Sequence, residues 1–184
     1  MATSPEEALW VLRAQSGDRE ALELLVRAVE PMVRRCLMRL VRPATVDDVV
    51  QNVLVTVCRK LSSLNEPEFF RTWVYRLATR AAFGFLRKEK RWTQQLGDEA
   101  LLANVQAPEF APSGLVLEQV LSMESISPAS RAVLVLHYQE DLPLPEVAAI
   151  LGIPLGTVKS RLASGLAAAR RNFYRNGEHH VGTK

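Results

Sequence analysis

The stretch that decides the fold is residues 46–61, VDDVVQNVLVTVCRKL. Six of its residues are valine, a composition that favours a β-strand on propensity alone. Periodicity favours a helix instead, because apolar residues recur every three to four positions, at Val46, Val50, Val53, Val57 and Leu61. Asp47 would lie in the first turn, where an acid interacts favourably with the helix dipole. The stretch is therefore predicted to be an amphipathic helix.

Helix signals continue on the N-terminal side of this stretch. Ser4-Pro5 predicts the capped start of a first helix, and Ser16-Gly17 predicts its end. Asp18 is predicted to cap a second helix, with Pro31 starting or bending its continuation. Arg42-Pro43 should close that continuation, because the residue before a proline disfavours helix.

On the C-terminal side, helical periodicity predicts a longer helix over residues 67–91 and a short one over 113–123. Ser127-Pro128 predicts another capped start, with a helix through about Gln139. A final pair of helices is predicted over 145–151 and 155–171, joined by a turn at Gly152. The chain is therefore expected to be all-α.

Charge is distributed unevenly along the chain. Residues 1–92 carry 16 basic and 11 acidic side chains, a net +5, and residues 131–184 carry 7 basic and 4 acidic, a net +3. Residues 93–130 between them carry five acids and neither Lys nor Arg. Two basic blocks separated by an acidic stretch predict two modules and a linker, with a polyanion as partner.

Several classes of protein are excluded by composition. Cys36 and Cys58 lie far apart in apolar periodic segments, which favours buried free thiols in a reducing compartment. The three histidines do not form a metal-ligand pattern, and no nucleophile–base set or phosphate-binding glycine loop predicts an enzyme. No apolar run reaches membrane-span length, and the acidic N-terminus is unlike a signal peptide. A cytoplasmic protein without a cofactor is expected.

The last two predicted helices follow a helix-turn-helix plan, in which the second helix fits the major groove of DNA. Short polar residues that could reach base edges point away from its apolar stripe, with a cation on either side that could reach phosphates: Thr157, Lys159, Ser160, Arg161 and Ser164. The alternative is an ordinary helical hairpin with a solvated basic edge.

Residues 70–91 combine cations and aromatics. A helical wheel places one set of residues on an arc that would face the core: Phe70, Trp73, Leu77, Ala81 and Phe85. A second arc, with Tyr75 at its edge, carries Arg76, Thr79, Arg80, Phe83 and Arg87, and a basic cluster follows with Lys88, Lys90 and Arg91. Exposed aromatics among cations fit single-stranded nucleic acid. Alternatively, Tyr75 and Phe83 are core and the basic run is only a solvated face.

Four segments in order resemble the extracytoplasmic-function (ECF) sigma factors, members of the sigma-70 family of bacterial RNA polymerase subunits. They are AQSGDREAL (14–22), TVDDVVQNVL (45–54), FRTWVYR (70–76) and DLPLPEVAAILGIPLGTVKSRL (141–162), the last preceded by a matching lead-in helix from Ser127. The resemblance spans about residues 6–171 and implies two small helical domains joined by a flexible linker.

The resemblance implies a division of the chain and of its contacts. A region 2-like domain (5–92) would bind core polymerase and the −10 element, an acidic linker (93–126) would follow, and a region 4-like helix-turn-helix domain (127–175) would bind the −35 element, before a short tail (176–184). The implied core-polymerase contacts are Asp47, Asp48, Gln51 and Asn52, with Asp47 the better candidate for a purely capping role. The implied −10 contacts, to the melted non-template strand, are Tyr75, Arg76, Thr79, Arg80, Phe83, Arg87, Lys88, Lys90 and Arg91. The implied −35 contacts are the five helix-turn-helix residues named above. The linker would thread a positively charged polymerase channel, or is plain solvated disorder.

The chain departs from the family pattern at several positions. Asn52 stands where an acid is usual, Arg80 where Asn is common, and Gly84 where Asp is common. Residues 164–166 (SGL) replace a stretch usually rich in Arg and Lys, which predicts weaker and less salt-sensitive duplex binding. Pro143 and Pro145 also depart from the pattern.

The function implied is recruitment of RNA polymerase to promoters, with an anti-sigma factor as a further partner. Two alternatives remain at this point. One is a sigma-like mimic that sequesters an anti-sigma factor, and the other is a simple helix-turn-helix regulator, which would not need residues 46–91.

Overall fold

The computed structural model describes residues 3–93 and 126–177, with side chains described as far as residues 89 and 171. Within these ranges the chain forms seven α-helices and no strand, and the all-α prediction is confirmed there. The helices are α1 (Pro5–Gln15), α2 (Arg19–Leu37), α3 (Val46–Lys60), α4 (Phe70–Thr93), α5 (Pro128–Leu134), α6 (Leu144–Leu151) and α7 (Leu155–Gly177).

The chain divides into two compact units, Met1–Asp98 and Glu99–Lys184. The short helix predicted over 113–123 lies outside the described residues, as does most of the predicted linker. The domain boundaries proposed from the sequence therefore stay predictions. α7 extends to Gly177, six residues beyond its predicted end.

The valine-rich stretch is helical, as its period predicted. α3 buries one face, formed by Val46, Val49, Val50, Val53 and Val57, and Leu61 is buried just after it. Both cysteines are free, but Cys58 is exposed, so the prediction of two buried thiols is wrong for it. The reason is that Cys58 follows Val57 on the polar side of the helix, whereas Cys36 lies on the buried face of α2.

The predicted helix caps are present. The Ser4 hydroxyl accepts a hydrogen bond from the backbone N–H of Glu7, whose carboxylate in turn accepts from the Ser4 N–H. Asp18 caps α2 by accepting from the Ala21 N–H. Pro31 does not start a new helix, because α2 runs from Arg19 through Leu37 with Pro31 inside it. Burial of Val29, Met32 and Val33 around the proline offsets its cost of about 3 kcal/mol.

The N-terminal unit packs α2 against α1, α3 and α4, and α3 against α4. Polar contacts over long sequence distances join α1 to the segment that follows α3. The Gln15 side-chain amide donates to the carbonyl oxygens of Leu61 at 2.9 Å and of Leu64 at 2.7 Å, which fixes the end of α1 on the segment after α3. These contacts hold the helix bundle in one arrangement.

The C-terminal unit contains the predicted helix-turn-helix. Ser127 caps α5, which continues as a π-helical turn from Val135 to Gln139. α6 ends at Gly152, whose φ of +66° is the left-handed cap conformation that favours glycine. The residues predicted to face inward on α7 are buried, namely Val158, Leu162, Leu166 and Ala169, and on α6 Val147 and Ile150 are buried while Leu151 is half-buried.

Candidate nucleic-acid and polymerase interfaces

The start of α4 is held by a buried ion pair with α1. The Arg71 guanidinium donates to Glu7, with Nη2–Oε1 at 2.6 Å and Nε–Oε2 at 2.9 Å, and the two side chains are only 16% and 6% exposed. The Arg71 backbone N–H also donates to Thr3 Oγ1. The hydrogen bonds from Arg71 outweigh burial and lower the pKa of the Glu7 carboxyl. Arg71 thus anchors α4 rather than joining an exposed face.

The buried face of α4 differs from the one that the helical wheel predicts. Tyr75 and Thr79 are each 1% exposed, and the other buried residues are Phe70, Val74, Ala78 and Ala82. Trp73, Leu77, Ala81 and Phe85, which were predicted as core, are half-buried. The buried arc is rotated by about a quarter of a turn because α4 packs against both α2 and α3.

The prediction that Tyr75 and Thr79 lie on an exposed face is therefore wrong. The Tyr75 ring is among the largest fully buried side chains of the described residues. The Thr79 hydroxyl donates to the Tyr75 carbonyl oxygen at 2.9 Å, so its polar group is satisfied inside the helix. Both residues belong to the core of the N-terminal unit, which is the alternative that the sequence left open for Tyr75.

The opposite side of α4 carries what we call the α4 face: Arg76, Arg80, Phe83, Arg87 and Lys88. Arg80, Arg87 and Lys88 are exposed, whereas Arg76 and Phe83 are half-buried. Lys90 and Arg91 lie in the last turns of α4, and their side chains are outside the described residues. Three cations and an aromatic thus project together from consecutive turns.

Two residues near the α4 face were missed by sequence reasoning. Half-buried Trp73 lies one turn before Arg76 and Leu77, with its ring centroid 6.3 Å from that of Phe70. Arg42 lies far away in sequence, but its Nη1 is 3.6 Å from Glu89 Oε1 of α4. Because Arg42 offsets the one acid in residues 87–91, the basic character of this end of α4 is preserved. The Arg42 contact had no signal in the sequence.

The predicted polymerase contacts lie together on the solvent side of α3. Asp47, Asp48, Gln51 and Asn52 are all exposed, opposite the valine face. Val55 lies one turn further along the same side and is 42% exposed, an apolar residue that sequence reasoning did not assign to this surface. We call these five residues the α3 face.

Asp47 has a partner within the protein. Its carboxylate accepts from Arg34 of α2, and Arg34 also pairs with Glu30 at 3.3 Å. Thr45 is the residue before the helix and makes no side-chain capping bond. Asp47 therefore ties α2 to α3 from the first turn, beyond the purely capping role that the sequence favoured.

The residues predicted to contact the −35 element all lie outside the core of the C-terminal unit. Lys159 is exposed, and the others are half-buried: Thr157, Ser160, Arg161 and Ser164. The Ser160 hydroxyl donates to the Thr157 carbonyl oxygen at 3.0 Å. We call these five residues the α7 face. It presents hydroxyl groups with two nearby cations.

Packing explains why residues 164–166 are SGL rather than a stretch rich in Arg and Lys. Gly165 is buried, and a Cβ added to it would lie 2.9 Å from Leu134 Cδ1 and 3.3 Å from Ser130 Cβ. Leu166 is buried as well. Only Ser164 of the three reaches the α7 face, so Arg or Lys at the other two positions would disrupt the contact between α5 and α7.

The described side chains and helices contain neither a membrane span nor a metal-binding cluster. None of the helices there is both long and apolar enough to cross a membrane. Nor do the described residues bring three His, Cys, Asp or Glu side chains together in a way that could hold a metal ion.

Two family models match the chain. One is Sigma-70 region 2, over residues 25–92, and the other is Sigma-70, region 4, over residues 121–168. The first match spans most of α2 with α3 and α4, and the second spans α5, α6 and much of α7. Together they cover more than half of the chain.

Curated relatives of the chain include ECF RNA polymerase sigma-E factors. The chain is 29% identical over 174 residues to the ECF RNA polymerase sigma-E factor of Escherichia coli (strain K12), covering 88% of this chain and 91% of the relative. The sigma-E factor of Haemophilus influenzae (strain ATCC 51907 / DSM 11121 / KW20 / Rd) is 28% identical, with 88% and 92% covered.

Two solved structures share the fold. CnrH in complex with the cytosolic domain of CnrY matches with a TM-score of 0.63 at 20% identity, covering 92% of this chain and 98% of that one. The sigma factor RpoE in complex with the anti-sigma factor NepR from Bartonella quintana matches with a TM-score of 0.63 at 21% identity, covering 81% and 94%.

Proposed function

The chain belongs to the sigma-70 family as an ECF RNA polymerase sigma factor, and from this premise we propose how its surfaces divide the work of promoter recognition. Sigma factors are not a class of enzymes, so the function to be explained is the binding of polymerase and DNA. We assign the α3 face to core polymerase, the α4 face to the melted −10 strand and the α7 face to the −35 duplex. The exposed cations of the α4 face give this proposal its main support.

The α4 face has the chemistry that single-stranded DNA needs. Exposed Arg80, Arg87 and Lys88 can follow the phosphates, while half-buried Phe83 and Trp73 offer ring edges and faces to unstacked bases. Arg42 offsets Glu89 and so maintains the positive field along the path of the strand. Tyr75 and Thr79 have no place in this contact, because both are buried.

The α3 face has the composition of a protein interface. Exposed Val55 supplies an apolar centre beside Asp48, Gln51 and Asn52, which can pair with polar or basic groups of a partner. Asp48 is the acid best placed for this role, since the Asp47 carboxylate is already engaged by Arg34. Docking on polymerase would bring the α4 face to the DNA.

The α7 face suits a weaker contact with duplex DNA. Thr157, Ser160 and Ser164 can reach base edges or phosphates, with Lys159 and Arg161 as the cations nearest to them. Fewer cations mean fewer released counterions and lower affinity for the isolated unit. Binding of the −35 element would therefore depend on simultaneous attachment to polymerase.

An anti-sigma factor is the further partner that we propose. The RpoE structure holds that sigma factor with the anti-sigma factor NepR, and this chain shares its fold. A mimic that only sequesters an anti-sigma factor would not need the cations of the α4 face. A simple helix-turn-helix regulator would not need the N-terminal unit at all. Both alternatives are less well supported than a sigma factor that acts on promoters.

The test is transcription by core RNA polymerase with this protein on a genome-derived template pool. The double substitution Arg80→Ala/Arg87→Ala should reduce RNA synthesis about tenfold or more, while leaving core binding unchanged, because we assign both exposed side chains to DNA phosphates. The matched control is Arg19→Ala/Arg27→Ala, which removes two exposed cations from α2. Equal loss in both variants would contradict the α4 assignment, and no RNA with the wild-type protein would favour the mimic.

A further inference from the structure

Three large apolar side chains of the N-terminal unit are exposed on α1 and on the turn before α4. Leu9, Leu12 and Phe69 are 54%, 52% and 52% exposed, whereas Val11, which lies between the two leucines in sequence, is fully buried. The leucines are three residues apart and so share one side of α1. Single exposed apolar residues are common on protein surfaces, but a group of them with a polar rim is typical of a protein interaction site.

Contacts between α1 and the segment after α3 place these side chains on one surface. The 3₁₀ turn Pro67–Phe69 packs against α1, and the Gln15 amide holds the end of α1 on the segment after α3. At about 100° per residue, Leu12 lies about 60° round the helix from Gln15, and Leu9 lies about 60° beyond Leu12. The apolar surface therefore extends outward from the line where α1 meets residues 61–69.

The rim of this surface is acidic. Glu6 lies one turn before Leu9 on the same side of α1, and Glu66 and Glu68 belong to the turn that carries Phe69. All three acids are exposed, and none of them has an ion-pair partner among the residues that the structure describes. We call the three apolar residues and the three acids the α1 patch.

The cations nearest to the α1 patch in sequence do not offset its acids. Arg13 pairs with Asp18, with Nη2–Oδ2 at 2.7 Å, and Arg71 is held by Glu7 in the buried ion pair. The α1 patch is therefore an apolar surface of negative charge, although residues 1–92 carry a net +5. Such a surface repels phosphates and favours a basic partner.

Charge argues against an occupant from this chain. Residues 93–130 carry five acids and neither Lys nor Arg, so the acidic rim would repel that segment. A second copy that docked through the same patch would bring like charges together, which is unfavourable for the same reason. The occupant that fits is a different protein with a basic apolar segment.

We propose that the α1 patch binds a partner protein through a basic amphipathic helix. The apolar stripe of that helix would cover Leu9, Leu12 and Phe69, and Lys or Arg residues beside the stripe would pair with the acidic rim. The α1 patch shares no residue with the α3, α4 or α7 faces. The proposal therefore does not depend on how those faces are assigned.

The test uses the full chain with its leucine methyl groups labelled with ¹³C, and two synthetic helical peptides. The peptides have the same length and the same leucine stripe, but one carries Lys and the other Glu at every position beside the stripe. The Lys peptide should bind about tenfold more tightly, because the rim attracts one peptide and repels the other. Non-specific attraction to a chain of net charge +3 would give the opposite order.

The same titration shows where the Lys peptide binds. It should shift the methyl signals of Leu9 and Leu12, but not those of Leu155, which is exposed in the C-terminal unit. Leu12→Ser should weaken binding of the Lys peptide about fivefold through the loss of apolar contact. The matched control is Met38→Ser, which removes an even more exposed apolar side chain from α2 and should leave the affinity within about twofold of wild type.

A charge variant keeps the test independent of the apolar substitution. Glu66→Lys/Glu68→Lys should bring the affinities of the two peptides within about twofold of each other, because it removes two of the three rim acids and adds two cations. Both positions lie outside α1, so the helix that carries the leucines is unchanged.

Four results would overturn the proposal. The first is equal or tighter binding of the Glu peptide by the wild-type chain, and the second is a shift of Leu155 as large as those of Leu9 and Leu12. The third is tighter binding of a synthetic peptide of residues 93–125 than of the Lys peptide, which would make the linker the occupant. The fourth is a dimer in analytical ultracentrifugation that Leu12→Ser converts to a monomer, which would make a second copy the occupant.

Discussion

α4 and α7 carry the two polar faces that we assign to DNA, but they are built differently. The α4 face places cations on consecutive exposed turns, and its buried side is fixed by an ion pair between Glu7 and Arg71. The α7 face presents mainly hydroxyl groups, and its buried side is fixed by the contact of Gly165 with Leu134. α7 carries fewer cations because Gly165 and Leu166, which stand where Arg and Lys are usual, must pack against α5.

The largest effect is expected at the ion pair between Glu7 and Arg71, which anchors α4. Glu7→Gln should destabilise the N-terminal unit by about 3 kcal/mol, because it leaves the half-buried guanidinium of Arg71 without its charged partner. Two-stage thermal unfolding by calorimetry, followed with separate probes for the two units, should show the loss in the N-terminal transition alone. A shift of both transitions would contradict this prediction, since the two units would then unfold together.

A somewhat smaller effect is expected at Gly165, where α7 packs against α5. Gly165→Val should destabilise the C-terminal unit by about 1–3 kcal/mol through overpacking against Leu134 and Ser130. Chemical denaturation should detect the change in the C-terminal unit. Ser164→Val, next to it on the half-exposed side, is the control and should change stability by less than about 0.5 kcal/mol. Equal effects at both positions would contradict the packing role of Gly165.

The Glu7–Arg71 ion pair should also make the stability of the N-terminal unit sensitive to acid. The pKa of Glu7 is lowered from 4.5 by Arg71, so the folded state favours the ionised carboxylate. The resulting stability is present above the unfolded pKa and is lost as the pH falls through the lower, folded pKa. Unfolding free energies measured from pH 6 downward should decline less in Glu7→Gln than in wild type. The same slope in both proteins would assign the acid sensitivity to other carboxylates.

The smallest expected effect distinguishes the two faces by salt. Removing one cation should lower the slope of log affinity against log salt by about 0.7 for single-stranded DNA and about 0.9 for duplex. Arg87→Ala should therefore change the slope only with a pre-melted template, and Lys159→Ala only with a duplex that carries the −35 element. Fluorescence anisotropy over a salt series would measure both. If Arg87→Ala changed the slope with the duplex, or Lys159→Ala with the pre-melted template, the assignment of the two faces would be contradicted.

Periodicity was sufficient wherever a helix has a single apolar side. The valine face of α3 is buried as predicted, because Val46, Val50, Val53 and Val57 fall on one stripe and most of the opposite side is polar. The inward residues of α7 were predictable for the same reason, and the turn at Gly152 was predictable because glycine is favoured at the left-handed cap of a helix. The exposed acids of α3 could also be predicted, since they are opposite that stripe.

Periodicity was insufficient for α4, which is apolar on more than one side. Phe70, Trp73 and Leu77 form one apolar arc, whereas Phe70, Val74 and Ala78 form another, and a wheel gives them similar weight. Packing against α2 and α3 together selects the second arc and draws Tyr75 and Thr79 into the core. No local pattern could decide this, because the choice depends on helices elsewhere in the chain.

The sequence by itself determined the all-α class, the helix caps, the helix-turn-helix and the family, because each depends on residues close together in the chain or on the order of short motifs. The packing of the helices decides which cations of α4 reach solvent, that Arg42 offsets Glu89, and that Gly165 is a packing residue. Glu7 and Arg71 likewise meet across 64 residues of sequence. Contacts of this kind arise from the packing of helices, and the spacing of residues along one helix contains no information about them.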